Sequence, residues 1–150
     1  MLILKNLFKF SVPVEELVNN YCLNIQSEAE QSSIVWSSSI TQGQQYDLER
    51  TQKVALRIIL GEEYISYEHA LSVTGLKNLQ IRRSELSLNF ALKCSKNTRT
   101  ADMFPQRKTT VETRWKEKYV VSKARTSRLA KSAIPFMQRQ LNLHDQKTKK

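Results

Sequence analysis

The sequence predicts an all-α protein: a small antiparallel bundle of about five helices, then a basic, mostly irregular extension ending in a short helix. Three observations predict this. Apolar residues recur at three- and four-residue steps through most of residues 1–97. Gly and Pro number only three each, so obligatory turns are few. The helix-shaped stretches are separated by short polar joints, which suits antiparallel neighbours. At 150 residues one domain is the default, and such a chain can bury about two-thirds of its unfolded surface.

The elements follow in order. Leu2 to Phe10 reads as a short helix with Leu4, Leu7 and Phe8 on one side, and Ser11 stands where Gly would end it more easily. Pro13 is expected in the first turn of the next helix, with Glu15 and Glu16 favoured by the dipole just behind it. Val14, Leu17, Val18, Tyr21, Cys22 and Ile25 keep the helical period. It then fails, because Gln26, Ser27, Glu28 and Glu30 surround only Ala29. Ile34, Val35 and Trp36 form an apolar knot, read as a buried helix end or short extended piece, with Trp36 as a core anchor.

Thr41 to Gly61 is the best-marked helix. Thr41 and Gln44 have capping-box spacing. Leu48, Ala55, Ile58 and Ile59, with Val54 beside them, form its apolar stripe. Asp47 and Glu49 precede Arg50, Lys53 and Arg57, which suits the dipole. Gly61 is placed to end the helix in the left-handed conformation. Ser66 then caps Tyr67 to Thr74, and Gly75 closes it. Asn78 to about Lys96 is the next helix, with Leu86, Phe90, Ala91 and Cys94 as its stripe and Leu88 and Leu92 widening it.

From Asn97 the composition changes, so the chain is read as a helical region, 1–97, and a basic extension, 98–150. Residues 97–117 read as a loop that packs through Met103, Phe104 and Trp115. Lys118 to Ser122 is a candidate strand. Ser132 caps a last short helix carrying Ile134, Pro135, Phe136, Met137 and Leu141, and the terminal QKTKK is expected to fray.

Charge is unevenly placed. Residues 1–98 hold ten Lys/Arg and ten Asp/Glu, whereas 99–150 hold fourteen basic and four acidic residues, the whole of the +10. A neutral body with a basic end points to a polyanion, most often nucleic acid; the competing reading is a solvated tail. The contacts nominated are Arg107, Lys108, Arg114, Lys116, Lys118, Lys123, Arg125, Arg128 and Lys131. Cys22 and Cys94 make neither a disulfide framework nor a four-ligand zinc site, and are expected as buried free thiols in a reducing compartment. MLILKNLFKF is not a signal peptide, being broken by Lys5 and Lys9, and no apolar run reaches the roughly 18 residues of a membrane span.

Catalytic constellations are missing. His69 and His144 lack metal-ligand spacing, there is no Gly-rich phosphate loop or nucleophile elbow, and neither Glu62-Glu63 nor Asp102 belongs to a converging carboxylate set. No small-molecule substrate, cofactor or catalytic residue is therefore assigned.

One linked set of strings carries a family resemblance. It comprises Leu48-Glu49-Arg50-Thr51-Gln52-Lys53-x-Ala55-Leu56-Arg57-Ile58-Ile59-Leu60-Gly61, then Tyr64-Ile65-Ser66-Tyr67-x-x-Ala70-Leu71, Gly75-Leu76, Arg82-Arg83-x-Glu85-Leu86 and Phe90-Ala91. Phe10-x-Val12-Pro13-x-Glu15-x-Leu17-Val18 and Glu30-Gln31-Ser32-x-x-Val35-Trp36 precede it, and Ser132-Ala133-Ile134-Pro135-Phe136-Met137-Gln138 follows. Together they resemble the C-terminal, thumb and post-thumb end of the reverse transcriptase of non-LTR retrotransposons, in the group of the RNA-directed DNA polymerase from mobile element jockey. The resemblance implies a helical region that grips a template–primer duplex. It also implies that the palm aspartates, fingers and endonuclease lie upstream of what is present here. The family's nucleotidyltransferase activity uses Mg²⁺, so this chain alone is expected to be inactive.

Several positions depart from the family pattern. Gln26 stands for the usual Arg, Glu28 and Ala29 stand where apolar residues are common, Ser11 replaces a frequent Gly and Thr51 a frequent Val. These departures suggest a decayed or truncated copy. The alternatives are a domesticated helical module that binds RNA–DNA or DNA duplex without enzymatic activity, and an unrelated helical interaction protein.

Overall fold

The computed structural model describes residues 1–107 and 117–148, and among them the chain is all-α. The helices are α1 (Leu2–Lys9), α2 (Val14–Asn20), α3 (Ser27–Glu30), α4 (Ser33–Trp36), α5 (Gln42–Leu60), α6 (Tyr67–Thr74), α7 (Leu79–Lys96), α8 (Ser127–Ala130) and α9 (Ala133–Thr148). The chain forms two compact units, Met1–Ser33 with Ile40–Arg83, and Ile34–Ser39 with Ser84–Lys150. The division falls inside α7, ahead of the composition change at Asn97.

In the first unit, Leu4, Leu17, Tyr21, Ala55 and Ile59 form one buried cluster, and Leu56, Leu60 and Ala70 a second, with Leu76 packed against both. α1 ends at Ser11, which is held at φ 54°. This is the left-handed region that Gly enters without steric cost and L side chains enter at roughly 1–2 kcal/mol. Pro13 takes the N-cap place ahead of α2, not the first turn. Its φ of −54° and ψ of 146° are extended, and its carbonyl accepts from the amides of Glu16 and Leu17.

The pattern broken after Ile25 does not break the helix. Tyr21–Gln26 widen into a π turn that joins α2 to α3. A π turn spends one more residue per revolution than an α turn. The buried positions therefore run Leu17, Tyr21, Gln26, a step of four and then of five. Gln26 is thus interior, and its amide donates to Glu30 Oε1 at 3.4 Å.

α5 begins as its sequence dictates. Thr41 N donates to Gln44 Oε1 at 2.9 Å and Gln44 N to Thr41 Oγ1 at 3.2 Å, a complete capping box. Its buried face is Glu49, Gln52, Ala55, Leu56, Ile59 and Leu60; Val54 is exposed and Leu48 only half-buried. The N-terminal half of that face is therefore polar, and it is satisfied. Tyr67 on α6 shares its hydroxyl proton between Glu49 Oε2 and Gln52 Oε1, each 2.7 Å away. Gln80 N donates to Glu49 Oε1 at 2.9 Å, and Gln52 Nε2 to Lys77 O at 3.1 Å. Burial, then the bond to Glu49, drives the Tyr67 phenol well above its usual pKa. Burial also pulls the Arg83 guanidinium down, against the opposing pull of Glu49 and Glu30. Arg82 Nε lies 2.7 and 2.9 Å from the two oxygens of Glu30.

Gly61 ends α5 with positive φ as expected, but at φ 53° and ψ −118° it is not in the left-handed helical basin. The reason is the 3-10 turn Gly61–Glu63 that follows directly. Ser66 caps α6 by accepting from His69 N, and Gly75 closes it in the left-handed conformation at φ 68° and ψ 11°.

The second unit is built on Ala91, Phe104, Tyr119, Met137 and Leu141, with Ile34, Leu88, Leu92, Cys94 and Ala133 packed against them. Phe90, expected in the α7 stripe, is 42% exposed. The buried line of α7 is instead Leu79, Arg83, Ser87 and Ala91, one residue every four. The small Ala91 lets bulk come from Phe104 and Met137 rather than from a large residue on α7 itself. Val35, in the apolar knot, is 67% exposed, while Ile34 packs on this core and Trp36 is half-buried. α9 is longer than the short helix expected. It runs 16 residues to Thr148, so Gln146, Lys147 and Thr148 are helical rather than frayed. Both cysteines are free and half-buried, and burial raises the Cys22 thiol.

Candidate nucleic-acid interface

Six Lys/Arg and no Asp or Glu lie between Lys118 and His144, the longest acid-free basic stretch. Its backbone is fixed by an unusual arrangement. The strand read at Lys118–Ser122 is reduced to a single antiparallel bridge, Gln106 with Tyr119, among the described residues. Arg107 N donates to Lys118 O at 2.9 Å, and Val120 N to Pro105 O at 2.8 Å. That pairing satisfies one edge and leaves the Tyr119 amide and carbonyl facing the other way.

Asn142 of α9 takes that second edge. Its Oδ1 accepts from Tyr119 N at 2.8 Å and its Nδ2 donates to Tyr119 O at 2.9 Å. One turn back, Gln138 Oε1 accepts from Ser122 N at 2.8 Å, and its Nε2 donates to Met103 O at 2.7 Å. Both amides are buried, so these bonds form without competition from water. Two side chains on one face of a helix thus replace a neighbouring strand. They hold the basic segment against the core through Tyr119, which is itself buried.

The nominated cations divide accordingly. Lys118, Lys123, Arg125, Arg128 and Lys131 are exposed, and Arg107 is half-buried beside the bridge. Lys118 Nζ stands 5.5 Å from the centre of the Tyr119 ring. Arg125, Arg128 and Lys131 surround the single turn of α8, which Thr126 caps by accepting from Leu129 N at 3.2 Å. Arg128 and Lys131 are three apart and share a side of that turn. Lys108, Arg114 and Lys116, with Trp115, lie outside the described residues.

Three residues that matter to this surface were not nominated. Arg139 Nη2 donates to Ala130 O at 2.6 Å and ties α9 to the end of α8. Gln138 and Asn142 carry the signal that was open to reading: polar residues four apart, directly beside Met137 and Leu141. Among the described residues no group of three or more His, Cys, Asp or Glu is placed to hold a metal ion. No helix described is long and apolar enough to cross a membrane.

Comparison of the chain with known protein families, with curated proteins and with solved structures finds no match.

Proposed function

We propose that the chain is the template–primer-gripping thumb and C-terminal region of a jockey-like retrotransposon reverse transcriptase, catalytically incomplete by itself. The observation that carries the reading is the linked series of strings from Leu48 to Ala91 and from Ser132 to Gln138, in family order and at family spacing. The exposed Lys118, Lys123, Arg125, Arg128 and Lys131, free of intervening acids, support it on chemical grounds. Cations of this kind grip phosphates of either strand and release condensed counterions. An RNA–DNA hybrid is read mainly by shape and backbone, which suits a patch of point charges. Polymerisation would need Mg²⁺ held by palm carboxylates, which this reading assigns to a separate part of the parent enzyme.

Two measurements test the proposal. Fluorescence anisotropy with a labelled RNA–DNA hybrid should show binding that weakens with salt, with a log–log slope of about −3 to −5 for several phosphate contacts. No binding at about 50 mM salt would overturn it. Primer extension by the isolated chain with Mg²⁺ should give no product, and robust extension would show that chemistry resides here after all.

A further inference from the structure

We infer that Ser127 is a phosphorylation site for a basic-directed serine/threonine kinase, and that its modification loosens the hold of this surface on a nucleic-acid duplex; the second half rests on the function proposed above. Basic-directed kinases choose substrates by cations flanking an accessible hydroxyl, a charge pattern that specifies the partner. Ser127 has Lys123 and Arg125 four and two residues before it, and Arg128 and Lys131 one and four after it.

Four hydroxyls lie in the acid-free stretch, and their environments separate them. Ser132 Oγ donates to Leu129 O at 2.7 Å, and Thr126 Oγ1 is occupied as the cap of α8. Ser122 is exposed, but its backbone amide is clamped by Gln138, which keeps its segment against the core. Ser127 is exposed, its hydroxyl makes no hydrogen bond among the described residues, and it opens a helix of only four residues. One helical turn carries little cooperative stability, so it can open to the extended form that a kinase cleft needs at small cost.

The chemistry balances with ATP as the donor. The Ser127 Oγ–P bond forms as the bond from the γ-phosphorus to the bridging oxygen breaks, ADP leaves, and the hydroxyl proton passes to the kinase base. The product carries close to two negative charges at neutral pH. The stretch from Lys118 to His144 carries six positive charges and no negative ones, so about a third of its local charge is cancelled. The phosphate oxygens also compete with the duplex for Arg125 and Arg128, which flank them in sequence.

The full chain is incubated with purified cAMP-dependent kinase and ATP, mapped by mass spectrometry, and titrated with an RNA–DNA hybrid at about 100 mM salt. The expected result is one phosphate on Ser127, absent in Ser127→Ala and retained in Ser122→Ala. Duplex affinity should then be about tenfold lower and the salt slope shallower by about 1–2. Ser127→Asp should weaken binding in the same direction without altering the circular dichroism. No incorporation while a control peptide is modified overturns the inference, as does incorporation at Ser122 or Thr126 instead. Stoichiometric Ser127 phosphorylation with unchanged affinity overturns its regulatory half. If the unmodified chain binds no duplex, the proposed function and that regulatory half fall together, while the mass map still decides the acceptor.

Discussion

Replacing Asn142 by alanine removes the side chain that stands in for a strand. Two hydrogen bonds vanish, and the Tyr119 amide and carbonyl stay behind in an environment with little water, Tyr119 being 7% exposed. A buried backbone group without a partner costs about 1–3 kcal/mol, so the pair should cost about 2–5 kcal/mol. That is a large share of the roughly 5–15 kcal/mol by which a domain is stable. At about 2–4 °C per kcal/mol for a chain of this size, Tm should drop by roughly 5–20 °C. Circular dichroism at the helix band reads the change. Asn142→Asp is the sharper control. It keeps the shape and the acceptor for Tyr119 N, but sets a carboxylate oxygen against Tyr119 O, and should lose at least as much stability at neutral pH. If Asn142→Ala lies within about 0.5 kcal/mol of the parent, the side-chain ladder contributes nothing and the argument for a fixed basic surface fails.

Further expectations follow from the first unit. Ser11→Gly relieves a left-handed residue and should stabilise by about 1 kcal/mol in denaturant melts; a destabilised variant would contradict the strain argument. Gly61→Ala should cost about 1–3 kcal/mol, because an L residue at φ 53° and ψ −118° is strained. The added Cβ also falls 2.8 Å from Phe8 Cζ, yet Phe8→Ala in the same chain should recover little, since the half-exposed ring can move aside. Tyr67→Phe strips Glu49 and Gln52 of their shared donor and should lower stability by about 1–3 kcal/mol, readable in the same melts. Tyr21 and Tyr67 both have phenols raised above the ordinary value of 10.0 by burial. The folded form therefore holds protons that the unfolded chain releases. Their contribution to stability is complete below about pH 10 and is lost as pH rises beyond it. Urea midpoints should fall above that pH, and less so in Tyr67→Phe; a midpoint that rises there would contradict the sign.

Local signals were the legible ones. Thr41 with Gln44, Ser66 and Gly75 act on amides within a few residues, and each does what its side chain or missing Cβ requires. Stripes were harder, because polarity is a poor guide to burial when partners come from far along the chain. Glu49 looked like a charge placed for the helix dipole, but its partners Tyr67 and Gln80 lie 18 and 31 residues away. Gln26 looked like the end of a helix, because a π turn breaks the period on which the reading rests. Phe90 looked like core, but the small Ala91 beside it fills that place. On the candidate surface, charge named the exposed cations, whereas the buried amides that position their backbone have no charge to reveal them.

The widened turn at Tyr21–Gln26 makes chain length critical at that point. Excising any one residue there restores the 3.6-residue repeat and swivels all that follows, as far as Glu30, by about 100° around the axis. The carboxylate that now clasps Arg82 would swing away from it, and Gln26 would leave the interior. A one-residue gap in this stretch is thus a larger structural event than a conservative replacement at any position within it.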